Sequence, residues 1–295
     1  MTGSEPIGAG LLKGAVEKAT KASELETAAL LEEAAGSKEM KHAAKQRAHR
    51  IAVRETFLTK LFSPLAALVN LRSDYFDSDF SDDLAAKLGH LSEDEIAAPK
   101  ASVAAPAIMG LGFSLDDPDL KEMYLNLLAT ASEKSRSSLA HPAFAEILRQ
   151  LTGEEAAALV PILSTDAVAA CRIHSGREGE LGVSTVLTHL IDASGLGIKV
   201  ESPGTLAMWI DNWVRLGLIY VAYDRSLVEA NAYDWIDEDP FYLSLKSIKQ
   251  AGSEESGWTN LTWSYSRGVL RRTNFGATFH SAVMSFETPM NGPPA

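Results

Sequence analysis

Apolar side chains recur at intervals of three and four through most of this chain, the spacing that gathers them on one face of a helix. The clearest run is DDPDLKEMYLNLLATASEK, in which Leu120, Met123, Tyr124, Leu127, Leu128 and Ala131 form the stripe. Asp117 stands where a cap accepts orphan amides, and Pro118 where the first turn has no need of an N–H, so the pattern predicts a helix with a buried face. The preceding VAAPAIMGLGF predicts a short helix whose small residues allow close approach.

The following stretch, HPAFAEILRQLTGEEAAAL, raises a question of chemistry because it holds a histidine and two adjacent glutamates. Pro142 suits a first helical position and holds His141 extended, with Phe144, Ile147, Leu148 and Leu151 as the buried face. Thr152 and Glu155 have capping-box spacing ahead of a helix that buries Ala158, Leu159 and Ile162. Glu154 complements the positive end of that helix. Local backbone chemistry therefore accounts for His141, Glu154 and Glu155 without a catalytic role.

Toward the N-terminus, residues 7–35 predict modest amphipathic helices, and SKEMKHAAKQRAHRIAVRETFLTKLF predicts another. Met40, Ala44, Ile51, Leu58 and Phe62 share a stripe flanked by Arg47, Arg50 and Arg54. Seven Lys/Arg against two Asp/Glu give this segment +5. Three readings stand: a core helix with a basic flank, an amphipathic helix on an anionic membrane surface, or one that enters a partner's groove. Lys41, Lys45, Arg47, Arg50 and Arg54 are the candidate contacts for the last two.

DYFDSDFSDDL lacks the glycine and twelfth-position glutamate of a calcium loop, so its acids read as linker or helix-capping groups. HLSEDEIAAPK carries a second capping-box spacing, Ser92 and Glu95, with Pro99 ending what begins there.

Past residue 165 the pattern is mixed. VSTVLTHLIDASGLGI is expected to be helical around Val186, Leu187 and Leu190. In SPGTLAMWIDNWVRLGLIYVAY, Leu206, Trp209, Ile210, Trp213 and Leu216 mark an amphipathic helix, Gly217 suits a left-handed closing turn, and Leu218 to Tyr223 reads as a strand. WTNLTWSYSRGVLRRT alternates Leu261, Trp263 and Tyr265 with polar neighbours, as a half-buried strand does. Thr273 is placed to cap a final helix with Phe275, Phe279, Val283 and Phe286 on one side, and ETPMNGPPA reads as a disordered tail.

Composition narrows the function classes. The 295 residues are 46% hydrophobic, enough for a substantial core, and carry a net charge of -12. That charge opposes contact with a polyanion except through a local basic patch. The order helix, Gly217, strand, strand, helix is that of many winged-helix modules, and Arg267, Arg271 and Arg272 are the candidate nucleic-acid contact. Residues 141–295 nevertheless hold eleven Lys/Arg against eighteen Asp/Glu, a charge of -7 that favours protein contacts over DNA.

A single cysteine, Cys171, allows no intrachain disulfide and fits a reducing cytoplasm, with the inner membrane face as a peripheral alternative. The N-terminus lacks the plan of a secretory signal, and FLTKLFSPLAALVNL is too short and interrupted to span a bilayer. Cys171 and His174 have half a zinc site's spacing without a second pair. HExxH, Walker, GxGxxG and GxSxG patterns are missing, so no catalytic residue, cofactor or metal is expected.

Several words of the sequence, LFSPLAALV, VAAPAIMGLGF, DPDLKEMYLNLLATA, HPAFAEILRQLTGEEAAAL, NWVRLGLIYV and GVLRRTNFGATF, resemble the Abi-alpha family of bacterial proteins named for abortive infection, a form of phage defence. The resemblance covers roughly residues 60–285 and is most specific over 118–160. It implies a context of phage defence and transfers no catalytic residue.

These readings combine into a mainly helical α+β protein. An N-terminal amphipathic segment (1–36) and a helical region with the basic helix (37–140) precede a winged-helix-like domain (141–287) and a tail (288–295). The expected role is a non-enzymatic cytoplasmic factor in antiphage defence that binds a protein partner, with self-association left open. A DNA-binding regulator and a membrane-surface effector are the alternatives.

Overall fold

A computed structural model of the chain describes residues 73–179, 182–251 and 261–284. The basic segment with Lys41, Lys45, Arg47, Arg50 and Arg54, the remaining N-terminal expectations, Phe286 and the tail lie outside these residues. The chain divides into two compact units, one built from residues up to Gly153 together with those from Ser281 onward, the other from Glu154–His280. The described residues are α+β, with helices in both units and a four-stranded antiparallel sheet in the second.

The first unit is helical. Of the two readings of the DYFDSDFSDDL acids, linker or helix-start groups, the second fits: helices α1 (Ser73–Ser78) and α2 (Phe80–Leu88) stand here, and Asp82 and Asp83 occupy the first turn of α2. Asp83 also accepts a 2.8 Å bond from the Tyr75 hydroxyl and pairs with Lys121. The Ser92–Glu95 capping box forms, though it opens only a short 3-10 turn that ends before Pro99.

Helix α3 (Ala101–Phe113) runs longer than its apolar word and carries Pro106 inside it, and α4 (Pro118–Ser132) follows. Asp117 caps α4 by accepting from the Leu120 amide, and the predicted stripe from Leu120 to Ala131 is buried throughout. Helix α5 (Ala143–Leu148) buries Phe144, Ile147 and Leu148 as expected. Side chains of α4 and the turn after it also close a helix end: Asn126, Thr130 and Arg136 donate to the carbonyls of Val283, Ala282 and Ser281. Those are carbonyls that a helix C-terminus cannot satisfy within itself.

The second unit begins with α6 (Gly153–Ser164), followed by β1 (Ala167–Arg177) and β2 (Val183–Ile191). The sequence-based expectation of helix around Val186 and Leu190 is overturned, because VSTVLTHLI is a strand paired antiparallel with β1. Its Val, Thr and Ile content suits a pleated surface, and the cross-strand partners override a short helical period.

Helix α7 (Pro203–Arg215) starts at Ser202, whose hydroxyl accepts from the Thr205 amide, and Gly217 closes it with φ of 74°. Strand β3 (Ile219–Ala222) follows. Between β3 and β4 stand a 3-10 turn at Asp234–Asp237 and helix α8 (Pro240–Ala251). Strand β4 (Leu261–Arg272) completes a sheet of order β2-β1-β4-β3, and α9 (Asn274–Val283) begins in this unit.

Both faces of the sheet carry packed side chains. One face carries Ala169, Cys171, Ile173 and Leu190, packed with Tyr233, Ile236, Tyr242 and Leu245 from the turn and α8. The alternate residues of β1 and β4, among them Arg172 and Gly268, point to the other face, where Tyr223 lies against them.

Candidate functional site: a histidine cluster and its adjoining cleft

The residues singled out from sequence occupy local structural roles. His141 Nδ1 accepts from the Ala143 amide at 3.1 Å, a helix-start contact at the surface. Glu154 is exposed in the first turn of α6. Glu155 does more than its spacing announced: it is buried, and its carboxylate accepts a 2.7 Å bond from Asn212 Nδ2. The Asn212 oxygen in turn accepts two bonds from Arg215, so Glu155 ties α6 to α7.

The arginine trio is divided between the two faces of β4. Arg267 lies 5.0 Å over the Tyr233 ring, whereas Arg272 donates to the Leu163 carbonyl and pairs with Asp166 at 2.9 Å. Arg271 is exposed opposite Ala167 and Tyr220. Cys171 and His174 point to opposite faces of β1, and His174 Nε2 bonds Ser266 Oγ at 2.9 Å. Among the described residues no group of three or more His, Cys, Asp or Glu side chains could hold a metal ion.

The most organised polar cluster surrounds a residue that sequence reasoning passed over. His189 sits at φ 59°, the one described non-glycine residue with a positive φ, in the irregular stretch of β2 where its register with β1 shifts. Such a conformation is costly for a residue with a Cβ and persists where its surroundings hold it.

Here they do. The Tyr223 oxygen lies 2.9 Å from the His189 amide and 3.0 Å from Nδ1, while Nε2 lies 3.1 Å from Asp211 Oδ1. The Arg172 guanidinium stacks 3.9 Å from the centre of the Tyr223 ring. One proton arrangement satisfies every atom: the amide donates to the phenol oxygen, the phenol O–H donates to Nδ1, and Nε2–H donates to Asp211. That arrangement requires a neutral imidazole. Burial, helped by the Arg172 charge, holds the His189 pKa below the ordinary value against the opposing pull of Asp211, and burial raises that of Tyr223.

Beside this cluster lies a cleft of about 580 Å³. His189, Leu190 and Ile191 form its floor, the start of α7 one wall, and Trp235 with the start of α8 the other. The α8 segment covers one sheet face, and α7 reaches the opposite face through Asp211, so a cleft walled by both opens at the margin of the sheet along β2. Trp235 and Phe241 give it aromatic surface, and Asp192, Glu201, Glu238 and Asp239 give it carboxylates. None of its lining residues is a lysine or arginine.

A family model described as Abortive infection alpha matches residues 72–283, most of the chain. The chain belongs to this family. Membership associates it with abortive infection. No curated protein matches the sequence. A solved structure described as an uncharacterized protein from the hydrocarbon-degrading marine bacterium Alcanivorax borkumensis SK2 is similar at 18% identity with a TM-score of 0.30, covering 50% of this chain and 94% of that one.

RLGLI and TNFG, parts of the words NWVRLGLIYV and GVLRRTNFGATF, meet in the second unit. Thr273 Oγ1 donates to the Gly217 carbonyl at 2.6 Å and accepts from the Gly276 amide at 2.8 Å. The Thr273 amide donates to the Leu218 carbonyl, so the turn that closes α7 and the cap that opens α9 are one hydrogen-bonded junction. Its partners are main-chain groups, so the junction serves the architecture of this unit.

No helix among the described residues is long and apolar enough to cross a membrane. His189 could not have been found by motif: VSTVLTHLI carries no turn or bulge residue to mark the irregular strand, and Asp211 and Tyr223 lie 22 and 34 positions away.

Proposed function

We propose that this protein is a non-enzymatic, cytoplasmic factor of antiphage defence that acts by binding another protein, and that the cleft of the second unit is where the partner docks. In this reading the second unit is a winged-helix relative put to protein contact, with α8 standing in the connection between β3 and β4. The observation that carries it is the cleft, a concave site lined by aromatic surface and by polar side chains, the combination by which binding sites are recognised.

Two features favour binding over catalysis. The His189 cluster spends its hydrogen bonds on itself, with Tyr223 and Asp211 as the partners of the imidazole. Cys171, the single thiol, is buried and far from its reactive range. A general base or nucleophile needs the opposite, an atom presented to a substrate.

The test is phage challenge of cells carrying the protein, no protein, or the variant Ser194→Trp, over a broad panel. Ser194 lines the cleft and is exposed, so the added indole fills the opening and leaves the core alone. Reduced phage yield with the wild type and loss of that effect in Ser194→Trp are expected. Equal yields with and without the protein on every phage would end the defence reading; full protection by Ser194→Trp would remove the cleft from it.

A further inference from the structure

We propose that the cleft receives the guanidinium group of an arginine carried by the partner protein, an inference that rests on reading the cleft as the docking site. The lining sets the sign of charge: it holds four carboxylates and neither a lysine nor an arginine. Two of the four are fixed by the backbone. Asp192 Oδ1 accepts from the Gly195 amide and Asp239 Oδ1 from the Tyr242 amide, both at 2.8 to 2.9 Å, so these carboxylates are held in place before any ligand arrives. Glu201 and Glu238 are exposed at the rim, where long side chains can close on an incoming cation.

The aromatic walls select among cations. A guanidinium is planar and weakly hydrated, stacks on a ring face, and presents a fork of donors to carboxylates, whereas an ammonium is a compact and strongly hydrated point charge. Trp235 and Phe241 supply ring surface beside the acids. The same pairing already occurs twice in this unit, where Arg172 lies over Tyr223 and Arg267 over Tyr233. At about 580 Å³ the cleft has room for an arginine together with the backbone on either side of it, which favours a side chain on a polypeptide over a free small cation.

The experiment titrates the full-length protein at low and moderate salt with a capped peptide of alternating glycine and arginine. Controls are the same peptide with citrulline, which keeps the shape of arginine and removes its charge, and agmatine, a free guanidinium. Saturable binding of the arginine peptide is expected, weakened at least about tenfold by citrulline and by Glu201→Gln/Glu238→Gln. The exposed pair Glu178→Gln/Glu229→Gln, which removes the same charge outside the cleft, should leave it unchanged.

Equal affinity for the arginine and citrulline peptides, or equal loss from the two glutamate pairs, would overturn the proposal, since either would mean that the cleft does not read the charge. Agmatine bound as tightly as the peptide would overturn the polypeptide source. If the arginine peptide fails while Ser194→Trp still abolishes phage protection, the arginine is wrong and the docking site stands. If both fail, so do both readings.

Discussion

Gly110 of α3 lies directly against the buried ring of Tyr124 on α4, so close that a Cβ at position 110 would overlap the ring carbons and the phenol oxygen. The Tyr124 hydroxyl donates onward to the Ala145 carbonyl, which fixes the ring in place. Glycine inside a helix ordinarily costs about 1 kcal/mol relative to alanine. Here the sign reverses: Gly110→Ala is expected to destabilise the first unit by about 1–3 kcal/mol, because an overpacked core must shift backbone or leave its rotamers. A chemical-denaturation midpoint measures it. Tyr124→Leu should cost less in the Gly110→Ala background than in the wild type, and a variant at least as stable as the parent would refute the contact.

The His189 cluster predicts a pH dependence of stability. In the unfolded chain an imidazole takes up its proton near a pKa of about 6.5. In the folded protein burial, with the Arg172 charge, delays that uptake to lower pH, and Asp211 only partly offsets it. Through that window the unfolded state binds more protons than the folded one, so stability is full above the ordinary histidine range and falls as the pH drops through it. Thermal melts from neutral to mildly acidic pH should show a smaller loss in His189→Gln than in the wild type. His280, which burial also holds below its ordinary value, contributes with the same sign and accounts for part of the remainder. Identical slopes for the two proteins would show that His189 protonates as freely folded as unfolded.

The helices of the first unit were legible because each is specified by its own neighbours: Asp117 and Pro118 start α4, and a stripe from Leu120 to Ala131 buries it. The capping role of His141 and the closing turn at Gly217 were legible for the same reason. Strand β2 was not. Its apolar residues fit a helical period over a short span, and only pairing with β1, a tertiary fact, decides the matter. Glu155 was half legible, since its spacing named the helix it starts but could not reveal Asn212, 57 positions away. The candidate site was illegible for a compounded version of that reason. His189, Tyr223 and Asp211 come from a misread strand, the end of another, and a helix, and the cleft beside them exists only where two layers meet one sheet margin.

Thr273 joins the close of α7 to the start of α9, so removing its hydroxyl should cost both bonds at once. Thr273→Val keeps the branched shape and leaves the Gly276 amide and Gly217 carbonyl without that partner, an expected loss of about 1–2 kcal/mol. Thr273→Ser retains the oxygen and should stay close to the wild type. Thermal unfolding compares the three, and Val matching Thr would mean that water replaces the hydroxyl at no cost.

Cys171 offers the sharpest check on the proposed non-enzymatic role. It lies in the middle of β1, fully buried in the cluster with Ile173, Leu190 and Tyr242, and burial pushes its thiol up to about 12 despite the opposing Arg267 charge. Only the thiolate attacks, so at about pH 8 the folded protein holds almost none of the reactive form. An aromatic disulfide reagent should therefore leave the native protein unlabelled while titrating one thiol per chain in guanidinium chloride. Labelling at intermediate denaturant should track the unfolded fraction, because exposure and thiolate formation both await opening of the sheet. Rapid native labelling would mean that the thiol is both reachable and ionised, the two conditions a cysteine nucleophile needs, and the non-enzymatic reading would then have to give way.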